Sequence, residues 1–298
     1  MNFFLQALAS GIALGTIYAL LALGFVIIYR ATDVVSFAQP ALMVLGAWWT
    51  VYFATVIGWN FWGSVVLAAI IGAAMGAVIE RLLLRPLVGR PPFSAVMVTI
   101  GLDIVLRVIA DDLMGINQRS VGDPFGLEVI HIGEVVIPKS DLAAMAGSVL
   151  VISALLAFYR YTKYGLAMRA SAFDQEAAMA QGIPVGRMYG LAWALAGAMA
   201  AIAGTFISMG NSSLSRSSWV FALRALPVIV LGGLDSIKGA IVGGLMIGVA
   251  ERLVGAYQPT AAPWLGSGFE LVVPYLVMVV VLLVKPYGLF GTEEVTRV

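Results

Sequence analysis

The sequence contains no cysteine and a single histidine, His131. Without cysteine there is no disulfide, no thiolate nucleophile and no cysteine-ligated metal centre. One histidine removes multi-histidine metal sites from this chain. Charge is also scarce. Asp, Glu, Lys and Arg make up 11% of the 298 residues, against about 25% in an ordinary soluble domain. The formal net charge is +1, so there is no basic excess of the kind that attracts nucleic acid. No glycine loop followed by Lys-Ser or Lys-Thr occurs, so a nucleotide that drives this protein is expected to bind another chain. No Arg or Lys precedes Arg30. The basic start of a cleavable signal is therefore missing, and the first apolar stretch is expected to be retained.

What the chain does have is hydrophobic residues, at 61% of the total. That places it among polytopic all-α membrane proteins. With a ruler of about 20 apolar residues per crossing, nine segments stand out: 6–29, 36–57, 61–84, 94–114, 142–160, 187–209, 219–235, 239–256 and 268–285. The segment 219–235 carries Arg224, Pro227 and Gly232-Gly233, and reads as a crossing or as a broken half-span. The expected fold has about eight transmembrane helices drawn from these eight or nine segments, in one domain over 1–298.

Basic residues set the expected orientation. Arg30, then Arg81, Arg85 and Arg90, then Arg160, Lys163 and Arg169, and finally Lys285 follow alternate segments. If those loops are cytosolic, the N-terminus is outside and the C-terminus inside. The loop 115–141 then faces out. It mixes Arg119, Asp123, Glu128, His131, Glu134, Lys139 and Asp141, and its alternating Val129–Pro138 stretch predicts a small β-hairpin. Glycines four apart at Gly11/Gly15, Gly72/Gly76, Gly239/Gly243 and Gly244/Gly248 predict close helix seams. Trp48, Trp49, Trp59 and Trp62 predict an interfacial aromatic belt.

A charge at the bilayer centre costs at least about 2.5–3.5 kcal/mol, so each one needs a partner or a wet path. Asp103 and Arg107 are four apart and are expected to pair. Arg224 has no local partner, and it lies near an interface or faces a polar cavity. Ser36-Phe37-Ala38-Gln39-Pro40 opens the second segment, with Ser36 as its expected cap. A helix start inside the membrane offers free N–H groups to a carboxylate. Ser36, Phe37, Gln39 and Arg224 are therefore candidates for a translocation path, with a plain helix start as the alternative. No nucleophile sits near a base, which argues against an intramembrane enzyme. An ion-coupled transporter would need a mid-membrane acid, and Asp103 is the candidate.

The polar stretch from Arg160 to Arg187 interrupts the apolar pattern. It carries the cations Arg160, Lys163, Arg169 and Arg187 and the acids Asp174 and Glu176. Within it, Glu176-Ala177-Ala178, three residues, then Gly182 resembles the EAA loop of ABC-importer permeases. Two alanines make a slim helix face, Gly182 suits its end, and Pro184 prevents continuation. The resemblance widens in order along the chain. It takes in Gly15-Thr16-Ile17-Tyr18-Ala19-Leu20, the Ser36 to Gln39 entry with Leu45-Gly46-Ala47, and Arg169-Ala170 through Gly182-Ile183. Val230 through Ala240 and Lys285 through Gly291 complete it. Together these resemble the branched-chain amino acid ABC transporter permease family. The sequence departs from that pattern at Pro40 and Ala41, where a Gly and an acid are usual, and at Leu191-Ala192-Trp193-Ala194, which replaces an Ile-x-Leu-Pro element.

The resemblance implies a non-enzymatic membrane subunit in a bacterial-type inner membrane, importing branched-chain or related amino acids. Urea or short amides are the alternative cargo. It implies a second related permease, two ATPase subunits that hold ATP and Mg, and an external solute-binding protein. It implies no cofactor in this chain. The loop 161–186 would then be the cytosolic coupling element, with Arg169, Asp174, Glu176, Ala177, Ala178 and Gly182 meeting the ATPase.

Overall fold

The structure is a computed structural model that describes residues 2–87, 89–133, 135–210 and 212–292. Glu134 of the predicted hairpin and Asn211 lie outside the described residues. The chain begins with the 31-residue helix α1 (Asn2–Thr32). There follow α2 (Gln39–Val51), α3 (Phe61–Ile79) and α4 (Pro92–Met114), with π turns extending α2 to Val56 and α3 to Leu84. A two-stranded antiparallel ribbon comes next, β1 (Val129–Ile132) and β2 (Val135–Pro138), with Val129 opposite Pro138 and Ile132 opposite Val135. Then come α5 (Lys139–Tyr161), α6 (Lys163–Phe173), α7 (Gln175–Ala180) and α8 (Val185–Ile207). The last helices are α9 (Trp219–Leu223), α10 (Ala225–Gly232), α11 (Ile237–Ala261) and α12 (Val273–Val284).

Helices dominate because a segment in lipid must satisfy its own backbone groups. Their ends follow local chemistry. Asn60 accepts from Trp62 N at 3.0 Å to start α3, and Ser236 accepts from Gly239 N at 3.0 Å to start α11. In the ribbon, Lys139 Nζ donates to Glu128 Oε2 at 2.5 Å, and that bond holds the Glu128 carboxyl below its ordinary range.

The bundle has two ends. One carries the β-ribbon, here the strand end. The other carries α6 and α7, here the elbow end. α5 leaves the ribbon and reaches α6 one residue after it stops, so it runs from one end to the other. The segments α1, α2, α3, α4, α5, α8, α9–α10, α11 and α12 alternate in direction. Hence Phe3 meets Tyr257 at the strand end, while Tyr287 shares a cavity with Arg169 at the elbow end. Among the described residues, six helices are long and apolar enough to cross a membrane. α2, α9–α10 and α12 are shorter. The nine expected segments are all present, and 219–235 makes its pass as two short helices.

α1 is the core of the bundle. Of its most apolar stretch 94% is buried, against 17% for α4. Lipid tails are as apolar as leucine, so such a helix is held by close packing rather than by exclusion from water. The glycine spacings supply that packing. A Cβ on Gly15 would lie 2.8 Å from Leu245 Cα, and one on Gly244 would lie 2.6 Å from Ala19 N. One on Gly72 would lie 2.6 Å from the Gly197 carbonyl oxygen, and one on Gly243 would lie 2.9 Å from that of Val228. The α1–α11, α3–α8 and α10–α11 seams all need glycine. The aromatic belt needs one correction. Trp59 and Trp62 are exposed, but Trp48 is buried because α2 is enclosed on nearly every side.

Candidate functional site

The polar stretch folds as an elbow of two capped helices. Thr162 is extended and its hydroxyl accepts from Gly165 N at 3.0 Å, ending α5 and starting α6. Gly165, Met168 and Ser171 turn inward, while Tyr164, Leu166, Arg169 and Phe173 turn outward. Asp174 is extended, and its carboxylate accepts from Ala177 N at 2.9 Å to start α7. α7 closes after six residues. Gly182 N donates to Met179 O at 2.9 Å and Ile183 N donates to Ala178 O at 3.0 Å, with Gly182 at φ +80°. This is the paired-bond helix stop that favours glycine at the left-handed position. Pro184 then starts α8.

Between α6 and α7 lies an open groove of about 530 Å³. Of the six residues expected to couple, Arg169, Asp174, Ala177 and Ala178 line it. Glu176 is exposed on another face of α7, and Gly182 acts through its backbone. The groove also takes in Leu166 and Phe173. Phe173 is 95% exposed. Sequence reasoning passed over it because an isolated aromatic carries no sign of which way it points. Replacing Asp174 by Ala is expected to cost about 1 kcal/mol, confined to α7. Amide exchange at Ala177 should quicken while the melting of the bundle stays put.

The second feature lies mid-bundle. α2 starts at the level of Asp103, the midpoint of α4. Ala38 occupies its cap position and offers no side-chain bond. The free N–H groups are met from α4 instead. Phe37 N donates to Thr99 Oγ1 at 3.2 Å, and Ala41 N donates to Asp103 Oδ1 at 3.1 Å. Ser36 is therefore not the cap. It sits two residues too early, and its hydroxyl accepts from Ala38 N at 3.3 Å. The carboxylate that a buried helix start attracts is the protein's own. Asp103 also pairs with Arg107 at 2.7 Å, as its spacing predicted, and the Arg107 guanidinium lies 4.3 Å from the ring centroid of Trp219 on α9.

Five residues further on, α9 gives way to α10 at Arg224, which is buried. Its Nη1 donates to Glu251 Oε1 at 2.7 Å and to Tyr18 Oη at 3.3 Å, and Tyr18 donates to Glu251 Oε2 at 2.9 Å. Tyr18 and Glu251 are both mid-helix residues, on α1 and α11. The broken helix α9–α10 thus ties two neutralised charge pairs together, and it packs directly on α2. Sequence reading did not single out Glu251. The first residue of α2 is Gln39, buried, with neither amide atom partnered among the described residues. Gly24 of α1 leaves the space it occupies, since a Cβ there would lie 2.5 Å from Gln39 Nε2.

Of the four path candidates, Ser36 and Gln39 are buried around the start of α2, and Phe37 is half-buried there. Arg224 stands across α9 from them, locked to Glu251. Two helix interruptions and four charges therefore meet at mid-height, each charge matched by its opposite. Both acids are engaged, so no free carboxyl remains at mid-height among the described residues to shuttle an ion.

One protein-family profile, described as branched-chain amino acid transport system / permease component, matches residues 7–282. The chain is 29% identical over 314 residues to the high-affinity branched-chain amino acid transport system permease protein LivH of Escherichia coli (strain K12). That match covers 99% of this chain and 98% of the relative. The protein of the same name from Salmonella typhimurium is 30% identical over 312 residues, with the same coverage. A probable branched-chain amino acid transport permease protein LivH of Methanocaldococcus jannaschii is 27% identical over 294 residues, covering 96% of this chain and 92% of that one. Among solved structures, PsaBC from Streptococcus pneumoniae in complex with Fab superposes with a TM-score of 0.50 at 15% identity. It covers 96% of this chain and 93% of that chain, and is a likeness of fold alone.

Proposed function

The chain belongs to the family of branched-chain amino acid transport system permease components, and we propose that it is the membrane subunit of an ATP-driven importer for branched-chain amino acids. It forms half of the translocation path with a second permease. Two ATPase subunits, holding ATP and Mg, dock on the elbow, and an external binding protein delivers the solute. The elbow carries this reading. It is a capped, grooved projection joined directly to two long helices, so a push on α7 is delivered to α5 and α8. Arg30, Arg85, Arg90, Arg160, Lys163, Arg169 and Lys285 all lie toward the elbow end, which supports a cytosolic elbow. The N-terminus then faces out and the C-terminus in, in the inner membrane.

The path follows the mid-height cluster, with Ser36, Phe37, Gln39 and Arg224 along it. Its paired charges sum to no net charge, which suits a zwitterion better than an ion. Gln39 gains partners when the path opens, offsetting the roughly 1–3 kcal/mol that an unpartnered buried polar group costs. The test is uptake of labelled leucine by vesicles holding the permease with its co-purifying subunits. Uptake should require ATP. Uptake that survives without ATP and collapses with an ion gradient overturns the reading. In Gly182→Trp the folded subunit should still insert, ATP hydrolysis should continue, and uptake should fall. The bulky residue cannot adopt the left-handed turn without strain of about 1–3 kcal/mol. Normal uptake in that variant would remove the elbow from coupling.

A further inference from the structure

At the strand end, the loop that follows α4 is joined to the loop between α8 and α9. Five hydrogen bonds cross between them. Arg119 N donates to Leu214 O at 2.9 Å, and Leu214 N donates back to Arg119 O at 2.8 Å. Ser213 Oγ donates to Gln118 Oε1 at 2.8 Å, and Arg216 Nε donates to Gly115 O at 3.0 Å. Gly210 N donates to Asp123 Oδ1 at 3.3 Å. This clasp ties segments 95 residues apart. Its polar side chains Gln118 and Arg216 face out, while Val121 and Leu214 turn inward and are fully buried, as is Met114 at the end of α4. The clasp also sits on the close of α2, since a Cβ on Gly122 would lie 2.8 Å from Thr55 Cγ2. Deeper in the bundle, α4 meets α9 again where Arg107 lies over Trp219.

The joint differs in kind from the other seams of the bundle. The α1–α11, α3–α8 and α10–α11 seams set main chain against main chain at glycines, and cannot part without losing the core. The clasp is made of loop bonds at the surface. Each is worth only about 0.5–1.5 kcal/mol, because water replaces it when it breaks. Exposed joints of this kind lie at the low-stability end of a fold. The helix on one side of it, α4, is also the least enclosed of the six long spans, with 17% of its most apolar stretch buried. We infer that the clasp is the outer gate of the path, closed in this structure. Met114, Val121 and Leu214 form the apolar seal behind it, of the type that excludes water and ions from a pore. Opening moves α4 and its loop away from the α8–α9 loop and admits solute toward the start of α2.

The inference rests on the path of the importer reading, and two measurements separate them. The chain has no cysteine, so introduced thiols report alone. The first measurement needs no transport. In Val121→Cys the thiol lies behind the clasp, and a maleimide should label it slowly. Adding Arg216→Ala, which removes one clasp bond at an exposed residue, should speed labelling about fivefold, the equivalent of about 1 kcal/mol. An unchanged rate means that the clasp does not shield the seal, and overturns the inference. The second measurement uses vesicles of the full assembly. ATP-driven leucine uptake by Gln118→Cys/Ser213→Cys is followed before linking, after a cleavable bifunctional thiol reagent joins the two loops, and after reduction. Uptake should stop on linking and return on cleavage, while each single variant treated alike should keep its uptake. Undiminished ATP-driven uptake by the linked protein overturns the gate and leaves the importer reading standing. Absence of ATP-driven uptake in the wild type overturns the reading on which the gate rests.

Discussion

Replacing Glu251 by Ala is expected to destabilise the folded bundle by about 3–5 kcal/mol, the penalty of stranding one member of a buried ion pair. Arg224 is buried and donates to Glu251 at 2.7 Å, and its other bond, to Tyr18, is long at 3.3 Å. With Glu251 gone, a guanidinium remains at mid-height with one weak acceptor. The cost is that of an unpaired charge rather than of one lost bond. The control is the pair. Arg224→Leu with Glu251→Leu removes both charges together and should recover most of the loss, since a buried pair exchanged for apolar residues is often neutral. Thermal unfolding in detergent reads both. Should Glu251→Ala melt with the wild type, or should the double variant be no better than the worse single variant, the pair does not hold α9–α10 to α1 and α11.

Gly248→Leu is expected to prevent accumulation of folded protein. A Cβ at Gly248 would fall on the backbone of Gly15 and lie 2.8 Å from the Gly11 carbonyl oxygen. Ordinary overpacking costs about 1–3 kcal/mol because side chains yield. Here the obstacle is main chain, which has no rotamer to change. α1 and α11 must separate, and the seam around the core helix is lost. The matched control is Gly101→Leu, in the middle of α4. Nothing lies within 4 Å of a Cβ there and the position is exposed. That variant should stay within about 1 kcal/mol of the wild type, the scale of glycine's helix penalty. Equal yields of folded protein from the two would mean that the seam is looser than its glycines indicate.

The short helix α7 and its Gly182 stop were legible in the sequence, and the caps that complete the elbow are equally local. Asp174 and the N–H it accepts are three residues apart, and Gly182 closes a helix of six residues. The β-ribbon and the Asp103–Arg107 pair were legible for the same reason. The start of α2 was not. Ser36 looked like a cap by position, but the groups that meet α2 are Thr99 and Asp103, some sixty residues away. Arg224 looked partnerless because Glu251 is 27 residues distant and Tyr18 is 206.

By itself the sequence determined a helical membrane protein of nine apolar segments, the glycine seams, and a short helix closed at Gly182 in the polar stretch between the fifth and sixth segments. Each of these depends on composition, on a helical period, or on bonds closed within a few residues. Only the tertiary structure decided which charges neutralise one another and which acid caps the buried start of α2. Those choices are made where helices far apart in the chain come to the same depth. In a low-dielectric interior, depth and nearest neighbour, not spacing along the chain, fix the partner of a charge.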